Sequence, residues 1–194
     1  MLFFASAAAA APTPWPTHFS VRFWSNASWR WAPTDLSPIE GVLEYDWGLR
    51  SQRVSHSAGA VECHKFYNST RPCTLLMNTA GLYRVLEEPL PPGQPHCCLD
   101  MPSIHAPPPS WAADANATDG GEQRVLQRDG TFSRAHDWQY PYTGHGAGCT
   151  DHSSEDSGCH SYFEAGVAAP RPALFTFPAA DGRQDWYFEL ATWS

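Results

Sequence analysis

Residues 41–54, with the sequence GVLEYDWGLRSQRV, carry the clearest strand pattern of this 194-residue chain. Leu43, Tyr45 and Trp47 alternate with acidic residues, and this period of two predicts a strand with one buried and one exposed face. Gly48 offers a place for the chain to bend or turn into a following strand. The segment therefore predicts the half-buried strand that is typical of an antiparallel sheet.

Outward from this segment, alternating or apolar runs bounded by turn residues predict further strands. They lie at residues 18–24, at 61–78 around a turn at 68–70, at 82–86, at 124–133 around Asp129-Gly130, and at 174–190 around a turn at 180–183. Residues 110–117 favour a helical turn that has Ser110 as its N-cap and is ended by Asp119-Gly120-Gly121, and residues 136–160 favour a loop. About eight to ten short strands with little helix predict an antiparallel sheet curled into a sandwich or barrel.

Composition and charge restrict the function. Hydrophobic residues make up 42% of the chain and charged residues 16%, with nine Trp, seven Tyr and ten Phe. A chain this aromatic folds around a packed core. The formal net charge of −8 and a single lysine, Lys65, leave no basic patch for phosphates. Nucleic acid is therefore excluded as the expected partner.

The N-terminal residues and the sequons favour a secreted glycoprotein. Residues 1–11 are apolar, end in small residues and resemble a signal peptide or leader, which leaves residues 18–194 as a single β domain. No apolar run is long enough for a transmembrane segment. Three glycosylation sequons begin at Asn26, Asn68 and Asn116, and the first two fall in predicted turns.

The cysteines predict a disulfide-stapled fold. There are six: Cys63, Cys73, Cys97, Cys98, Cys149 and Cys159. Cys63 and Cys73 flank the turn at 68–70 at similar distances, so a disulfide could close that hairpin. The adjacent Cys97 and Cys98 would then bond the two late cysteines and fasten the central stretch, residues 96–111, to the late loop. The alternative joins the late cysteines to each other and the vicinal pair to Cys63 and Cys73.

Two metal sites compete with these interpretations. A zinc or copper site would use histidines and cysteines whose spacing matches no paired Cys-x-x-Cys motif, so disulfides are the simpler explanation; its members would be His96, Cys97, Cys98, His145, Cys149, His152, Cys159 and His160. Asp151, Glu155 and Asp156 offer oxygen ligands for calcium without an EF-hand signature. A solvated acidic loop explains these three residues more simply.

The order of several residues resembles the ependymin-related proteins. These residues are Gly41, Leu43, Tyr45, Asp46, Gln52, Arg53 and Val54, followed by the cysteine hairpin, the strand at Gly81–Tyr83, a mid-chain cysteine and a proline-tryptophan segment. The resemblance implies a secreted glycoprotein with a LolA-like fold, in which a strongly curved antiparallel sheet, or half-barrel, encloses a hydrophobic cavity. It also implies an association with calcium, apolar ligands and, in some members, dimers.

These expectations predict a protein that binds an apolar or amphipathic small molecule without chemistry. The residues expected on the concave face are Leu43, Tyr45, Trp47, Phe66, Leu76, Tyr83, Phe175, Trp186 and Phe188, with Trp111 over one mouth of the cavity, although such residues could equally fill a core. One alternative is an adhesion or glycan-binding module that uses surface tryptophans such as Trp29, Trp31 and Trp138. A hydrolase is the other alternative, but no nucleophile elbow supports it, and a structural turn explains Asp100 and His105.

Overall fold

The computed structural model describes residues 11–27, 39–60, 63, 71–86, 92, 97–141, 159–166, 170–179 and 182–194. These residues form one antiparallel sheet of eleven strands, with almost no helix. The strands are β1 (His18–Ala27), β2 (Ile39–Asp46), β3 (Ser51–His56), β4 (Cys73–Asn78), β5 (Gly81–Leu86), β6 (Cys97–Met101), β7 (Thr118–Leu126), β8 (Phe132–Pro141), β9 (Cys159–Ala165), β10 (Arg171–Ala179) and β11 (Gly182–Phe188). A four-residue helix, α1 (Trp111–Asp114), precedes β7, and a 3₁₀ turn, Leu190–Thr192, follows β11.

The sheet is open and curved, with the spatial order β6-β5-β4-β3-β2-β1-β11-β10-β9-β8-β7. Strand β1 lies in the middle of the sheet, and β2 to β6 follow in order towards one edge. The chain then crosses to β7 at the opposite edge. It then steps back until β11 pairs with β1, with Phe23 opposite Phe188. The predicted fold class, a curved antiparallel half-barrel with little helix, is confirmed.

The segment at residues 41–54 forms the hairpin β2–β3, with Leu43 opposite Val54. Its inward residues are buried, since Leu43 and Tyr45 are each 1% exposed. The strands on either side of Asp129-Gly130 and of the predicted turn at 180–183 are also paired, β7 with β8 and β10 with β11. Gly182 and Arg183 belong to β11, and residues 180 and 181 lie outside the described residues. Alternation predicted β2 and the β10–β11 pair, whereas the Asp-Gly turn predicted the β7–β8 hairpin.

Two predictions in the second half of the chain are wrong. Residues 136–141, which were expected to begin a loop, belong to β8, where Trp138 lies opposite Tyr162 of β9. Asp119-Gly120-Gly121, which was expected to end a helical element, lies inside β7. The register shifts between Asp119 and Gly121, and Gly121 has a φ of 81°, so the glycines form a bulge in a continuing strand.

Cys63 and Cys73 form the predicted disulfide, with their Cα atoms 5.6 Å apart. Cys97 and Cys98 are free thiols on the edge strand β6. The expected bonds from this pair to the late cysteines are therefore not formed. For Cys159 the strand order gives the reason, because β6 lies at the edge of the half of the sheet that does not contain β9. Cys149 lies outside the described residues, as does the side chain of Cys159.

The main core lies on the concave side of the sheet, here called the inner face. It joins residues from both halves of the sheet, including Val21, Phe23, Leu43, Val54, Leu75, Tyr162, Phe175 and Phe188. A second cluster around the Cys63–Cys73 disulfide includes Ile39 and Leu86. Among the described residues, no helix is long and apolar enough to cross a bilayer.

Candidate ligand-binding site

The inner face collects most of the residues that were expected to line a cavity. Leu43, Tyr45, Phe175 and Phe188 are buried in its core, and Trp47 and Trp186 pack against that core while partly exposed. Phe66 lies outside the described residues. Six of the predicted residues thus share one surface, since register along antiparallel pairs keeps facing residues on the same side of the sheet.

Leu76 and Tyr83 lie on the opposite, outer face, contrary to the prediction. They face each other across β4 and β5, and Leu76 faces the exposed Arg53 of β3. The inward residues of β4 are instead Cys73, Leu75 and Met77, which follow from the pairing of Cys73 with the inward His56. The sequence CTLLMN has three apolar residues in a row, so alternation alone does not decide which of them point inward.

The segment that connects β6 to β7 in the sequence contains no strand and covers the inner face. This segment, residues 102–117, is here called the strap and contains α1. The hydroxyl of Tyr45 donates a hydrogen bond of 2.8 Å to the carbonyl of Pro107. The ring of Trp111 stacks on Phe175 with centroids 5.3 Å apart and meets Tyr162 at 5.2 Å. Trp111 therefore packs on the inner-face core from the strap.

The N-terminal segment, residues 11–17, supplies a second cover that the sequence analysis missed. Trp15 is 5% exposed and contacts the rings of Phe19, Tyr45 and Trp111 at 5.4–5.6 Å. Its backbone N–H donates to the carbonyl of Pro109 in the strap at 2.9 Å. A bulky aromatic residue between two prolines, in PTPWPT, was the available signal for an anchor.

A buried carboxylate fixes the N-terminal segment to the sheet. Glu164 is 5% exposed, and its Oε1 and Oε2 accept hydrogen bonds from the backbone N–H of Thr13 at 3.0 and 3.2 Å. Oε2 also accepts from Nε1 of Trp138 at 3.0 Å. Trp138 is 3% exposed, so it is a core residue and not the surface tryptophan that glycan binding requires; Trp29 and Trp31 lie outside the described residues.

Burial shifts the titration of the groups around this carboxylate. It raises the pKa of Glu164 above its ordinary value of 4.5, although hydrogen bonds from Thr13 and Trp138 oppose the shift. Burial also raises the pKa of Tyr162, whose hydroxyl accepts a 2.9 Å hydrogen bond from the indole of Trp15. It lowers the pKa of His160 to about 4. The inner face thus disfavours charge in this half of the sheet.

An ion pair lies at the other end of the inner face. Arg84 on β5 is 3% exposed, and its Nη2 lies 2.5 Å from Oδ2 of Asp100. The register shifts in β6 between the partners of Leu82 and Tyr83, so Asp100 is the extra residue of a bulge. Because of the bulge, the side chain of Asp100 lies on the same inner face of the sheet as Arg84. Its carboxylate is a counter-charge beside the buried guanidinium.

A cleft of about 250 Å³ opens where the strap meets the hairpins β2–β3 and β4–β5. Its lining consists of Trp47, Arg50, Thr79, His105 and Ala106. Nδ1 of His105 lies 2.9 Å from the carbonyl oxygen of Asn78. Because a carbonyl only accepts, Nδ1 carries the proton and Nε2 is left for another partner. The cleft combines an aromatic wall with two nitrogen-bearing side chains.

The metal predictions receive no support from the described residues, which contain no group of three or more potential metal ligands. Asp151, Glu155 and Asp156, the calcium candidates, lie outside the described residues. So do His96, His145 and His152 of the zinc or copper alternative. Calcium association stays a prediction, and so does the homodimer.

The two sequons that the structure describes are both exposed. Asn26 lies in strand β1 and not in a turn, opposite Asp185 of β11. Asn116 follows α1 in the strap and has a φ of 53°. Asn68 lies outside the described residues. Glycosylation of all three stays a prediction.

Comparison with known proteins gives little beyond this geometry. No protein-family model matches the chain, and no curated protein matches it. Among solved structures, it is similar to an uncharacterized conserved protein from Thermus thermophilus, with 11% sequence identity and a TM-score of 0.43. That similarity covers 92% of this chain and 78% of the other.

Proposed function

We propose that this protein binds an apolar or amphipathic small molecule at the inner face of its curved sheet, without chemistry. The observation that carries the proposal is the way in which the inner face is covered. Its aromatic surface lies under the strap and the N-terminal segment. These two covers contact each other, and one of their contacts is the backbone hydrogen bond from Trp15 to Pro109. Such short covers can move aside at less cost than a paired strand or a second sheet.

The ring-lined surface suits an apolar partner. The sheet contributes the rings of Tyr45, Tyr162 and Phe175, on which Trp15 of the N-terminal segment and Trp111 of the strap pack. The contacting ring centroids of these five residues lie 5.1–6.4 Å apart. Aromatic side chains with a few polar groups are the usual lining of small-molecule sites. Hydrocarbon that replaced part of the strap on this surface would bury apolar area at about 25 cal/mol per Å².

We further propose that the protein is secreted and glycosylated. The leader-like residues 1–11, the three sequons and the Cys63–Cys73 disulfide support this setting. The test is the mass of the protein taken from its natural source, before and after enzymatic removal of N-glycans. Secretion with glycosylation predicts a mass loss on deglycosylation, and an unchanged mass together with a retained leader would contradict it.

The binding proposal is tested by titrating dodecanol while following intrinsic tryptophan fluorescence. Saturable change is expected, because several tryptophans lie at the inner face. Two adjacent residues of β4 provide matched variants, since Met77 packs on the inner-face core and Leu76 lies on the outer face. Met77→Ala should change the dodecanol affinity severalfold, and Leu76→Ala should leave it unchanged. Equal effects of both variants, or no saturable change, would contradict the proposal.

A further inference from the structure

We propose that the cleft beside the strap binds the carboxylate of an amphipathic acid, and that Arg50 is the residue that recognises it. The inference rests on the proposed function, because it names the chemical class of the ligand for the same surface. It follows from the charge of Arg50, its backbone conformation, the free nitrogen of His105 and the apolar wall of the cleft.

The guanidinium of Arg50 is available to a ligand. No carboxylate of a described residue lies within ion-pair distance of it, whereas Arg22, Arg53, Arg84, Arg128 and Arg134 each have such a partner. Arg124 and Arg171 share this lack of a described ion pair, but they lie over the rings of Phe132 and Trp193 and do not line the cleft. In a chain with a net charge of −8, Arg50 therefore places a local positive charge at the cleft. A guanidinium binds a carboxylate through two parallel N–H···O bonds, which makes an organic acid its natural complement.

The backbone at Arg50 is held in an unusual conformation. Arg50 has a φ of 48°, in the left-handed region that costs a non-glycine residue free energy. Its N–H donates to the carbonyl of Trp47 at 3.0 Å, which closes the turn between β2 and β3. The guanidinium carbon lies 5.5 Å from the centroid of the Trp47 ring. The turn and the Trp47 ring together hold the guanidinium at the cleft. Glycine or asparagine would form the same turn at a lower cost in backbone free energy.

His105 adds a second nitrogen on the strap side of the cleft. Its Nδ1–H is used by the carbonyl of Asn78, so Nε2 is the ring nitrogen left for a ligand. Nε2 donates to a carboxylate when the ring is protonated and accepts from a carboxylic acid when it is neutral. Arg50 and His105 therefore contact the cleft from the sheet and from the strap.

The apolar lining distinguishes an amphipathic acid from an inorganic anion. The Trp47 ring packs against the inner-face core, and Ala106 is 6% exposed. A carboxylate at Arg50 would therefore have hydrocarbon contact along Trp47 on the side of the inner face. The cleft, at about 250 Å³, is smaller than the roughly 300–1,000 Å³ of pockets that enclose a whole ligand. It is of the right size for the head group of a longer molecule.

The test compares dodecanoate, dodecanol and acetate as ligands of the intact protein by tryptophan fluorescence and calorimetry. Wild-type protein should bind dodecanoate about tenfold more tightly than dodecanol, the difference that one charge-assisted pair provides. In Arg50→Asn, which suits the left-handed backbone and removes the charge, the two affinities should become equal. Arg134→Asn removes the same charge from an exposed site on β8 and should preserve the preference.

The outcomes separate this inference from the proposed function. If dodecanol and dodecanoate bind equally to wild-type protein, or if Arg50→Asn keeps the preference, the carboxylate site is wrong and the inner-face proposal stands. If acetate binds as tightly as dodecanoate, the cleft is a simple anion site and the inference is wrong. If neither long-chain ligand binds, both proposals are wrong. Arg50→Gly, which removes the charge and the backbone strain together, should reproduce the result of Arg50→Asn.

Discussion

Gly41 shows how a single residue fixes the packing of the inner face. It lies opposite Phe23 of β1 and His56 of β3. A Cβ at this position would come within 2.3 Å of Cζ of Phe23 and 2.6 Å of the carbonyl oxygen of Ser55. The Phe23 ring thus occupies the space that a side chain at position 41 would need.

We therefore predict that Gly41→Ala destabilises the protein by about 1–3 kcal/mol, because overpacking outweighs the usual gain from removing a strand glycine. The measurement is the free energy of unfolding from urea denaturation. Gly48→Ala is the control, since its added Cβ comes within 4 Å of a single atom, the side-chain oxygen Oδ1 of Asp46 at 3.1 Å, and meets no backbone or ring atom. Equal stability of the two variants would show that Phe23 does not fill this space.

Glu164 makes stability depend on pH through its raised pKa. The folded state holds the proton more tightly than the unfolded chain does, so this group contributes stability that grows as pH falls through the raised pKa towards 4.5. Glu164→Gln removes that contribution. We predict that the variant is more destabilised relative to wild type at pH 4.5 than at pH 7, as measured by urea denaturation at both values.

The control for this prediction is Glu122→Gln, whose side chain is 71% exposed on β7. It should leave the difference between the two pH values nearly unchanged. A Glu164→Gln variant that is equally destabilised at pH 7 and pH 4.5 would mean that this carboxyl titrates as it does in the unfolded chain.

At the scale of the strand, the bulge in β6 joins the edge of the sheet to its buried arginine. Asp100→Ala removes the carboxylate that lies 2.5 Å from the buried Arg84 guanidinium, and we predict a loss of about 3–5 kcal/mol. The double variant Arg84→Met/Asp100→Ala should recover part of that loss, because no buried charge remains. Chemical denaturation of both variants provides the measurement.

An exposed ion pair serves as the comparison. Glu44→Ala breaks the contact with Arg53, in which both side chains are about half exposed, and should cost less than about 1 kcal/mol. If Asp100→Ala costs no more than Glu44→Ala, the Asp100 carboxylate does not stabilise the buried guanidinium and the bulge has no role in neutralising it.

The strands also show what the sequence could and could not predict. The β2–β3 hairpin was predictable because its alternation is strict and Gly48 marks its turn. The sequence did not show which residues of β4 point inward, because Leu75, Leu76 and Met77 are all apolar. Which of them face the core depends on the pairing of β4 with β3. The second half of β8 was predicted as a loop because its composition is polar. His136, Trp138 and Tyr140 nevertheless alternate with the period of two that a strand requires.

At the scale of the whole molecule, the contacts least visible in the sequence are the long-range ones. The pairing of β1 with β11 joins segments from opposite ends of the chain, and neither strand carries a local signal for its partner. The cover by Trp15 also depends on atoms far away in sequence, at Pro109 and Tyr162. Composition and alternation predicted a curved aromatic sheet, but not which segments would fill its concavity.

The free thiols on β6 illustrate the same limit. Counting cysteines suggested three disulfides, and the position of Cys97 and Cys98 became clear only with the strand order. Their edge strand is separated from β9 by seven strands in the spatial order of the sheet. Sequence spacing contains no information about that separation.

The most direct test of inner-face binding is an NMR titration of the indole N–H signals with dodecanoate. Trp47 and Trp111 pack on the inner-face core, whereas Trp24 stacks on Tyr187 with centroids 3.9 Å apart on the outer face. We predict saturable shifts of the Trp47 and Trp111 signals and an unchanged Trp24 signal. Shifts of Trp24 alone, or no saturable shift of any indole, would contradict binding at the inner face.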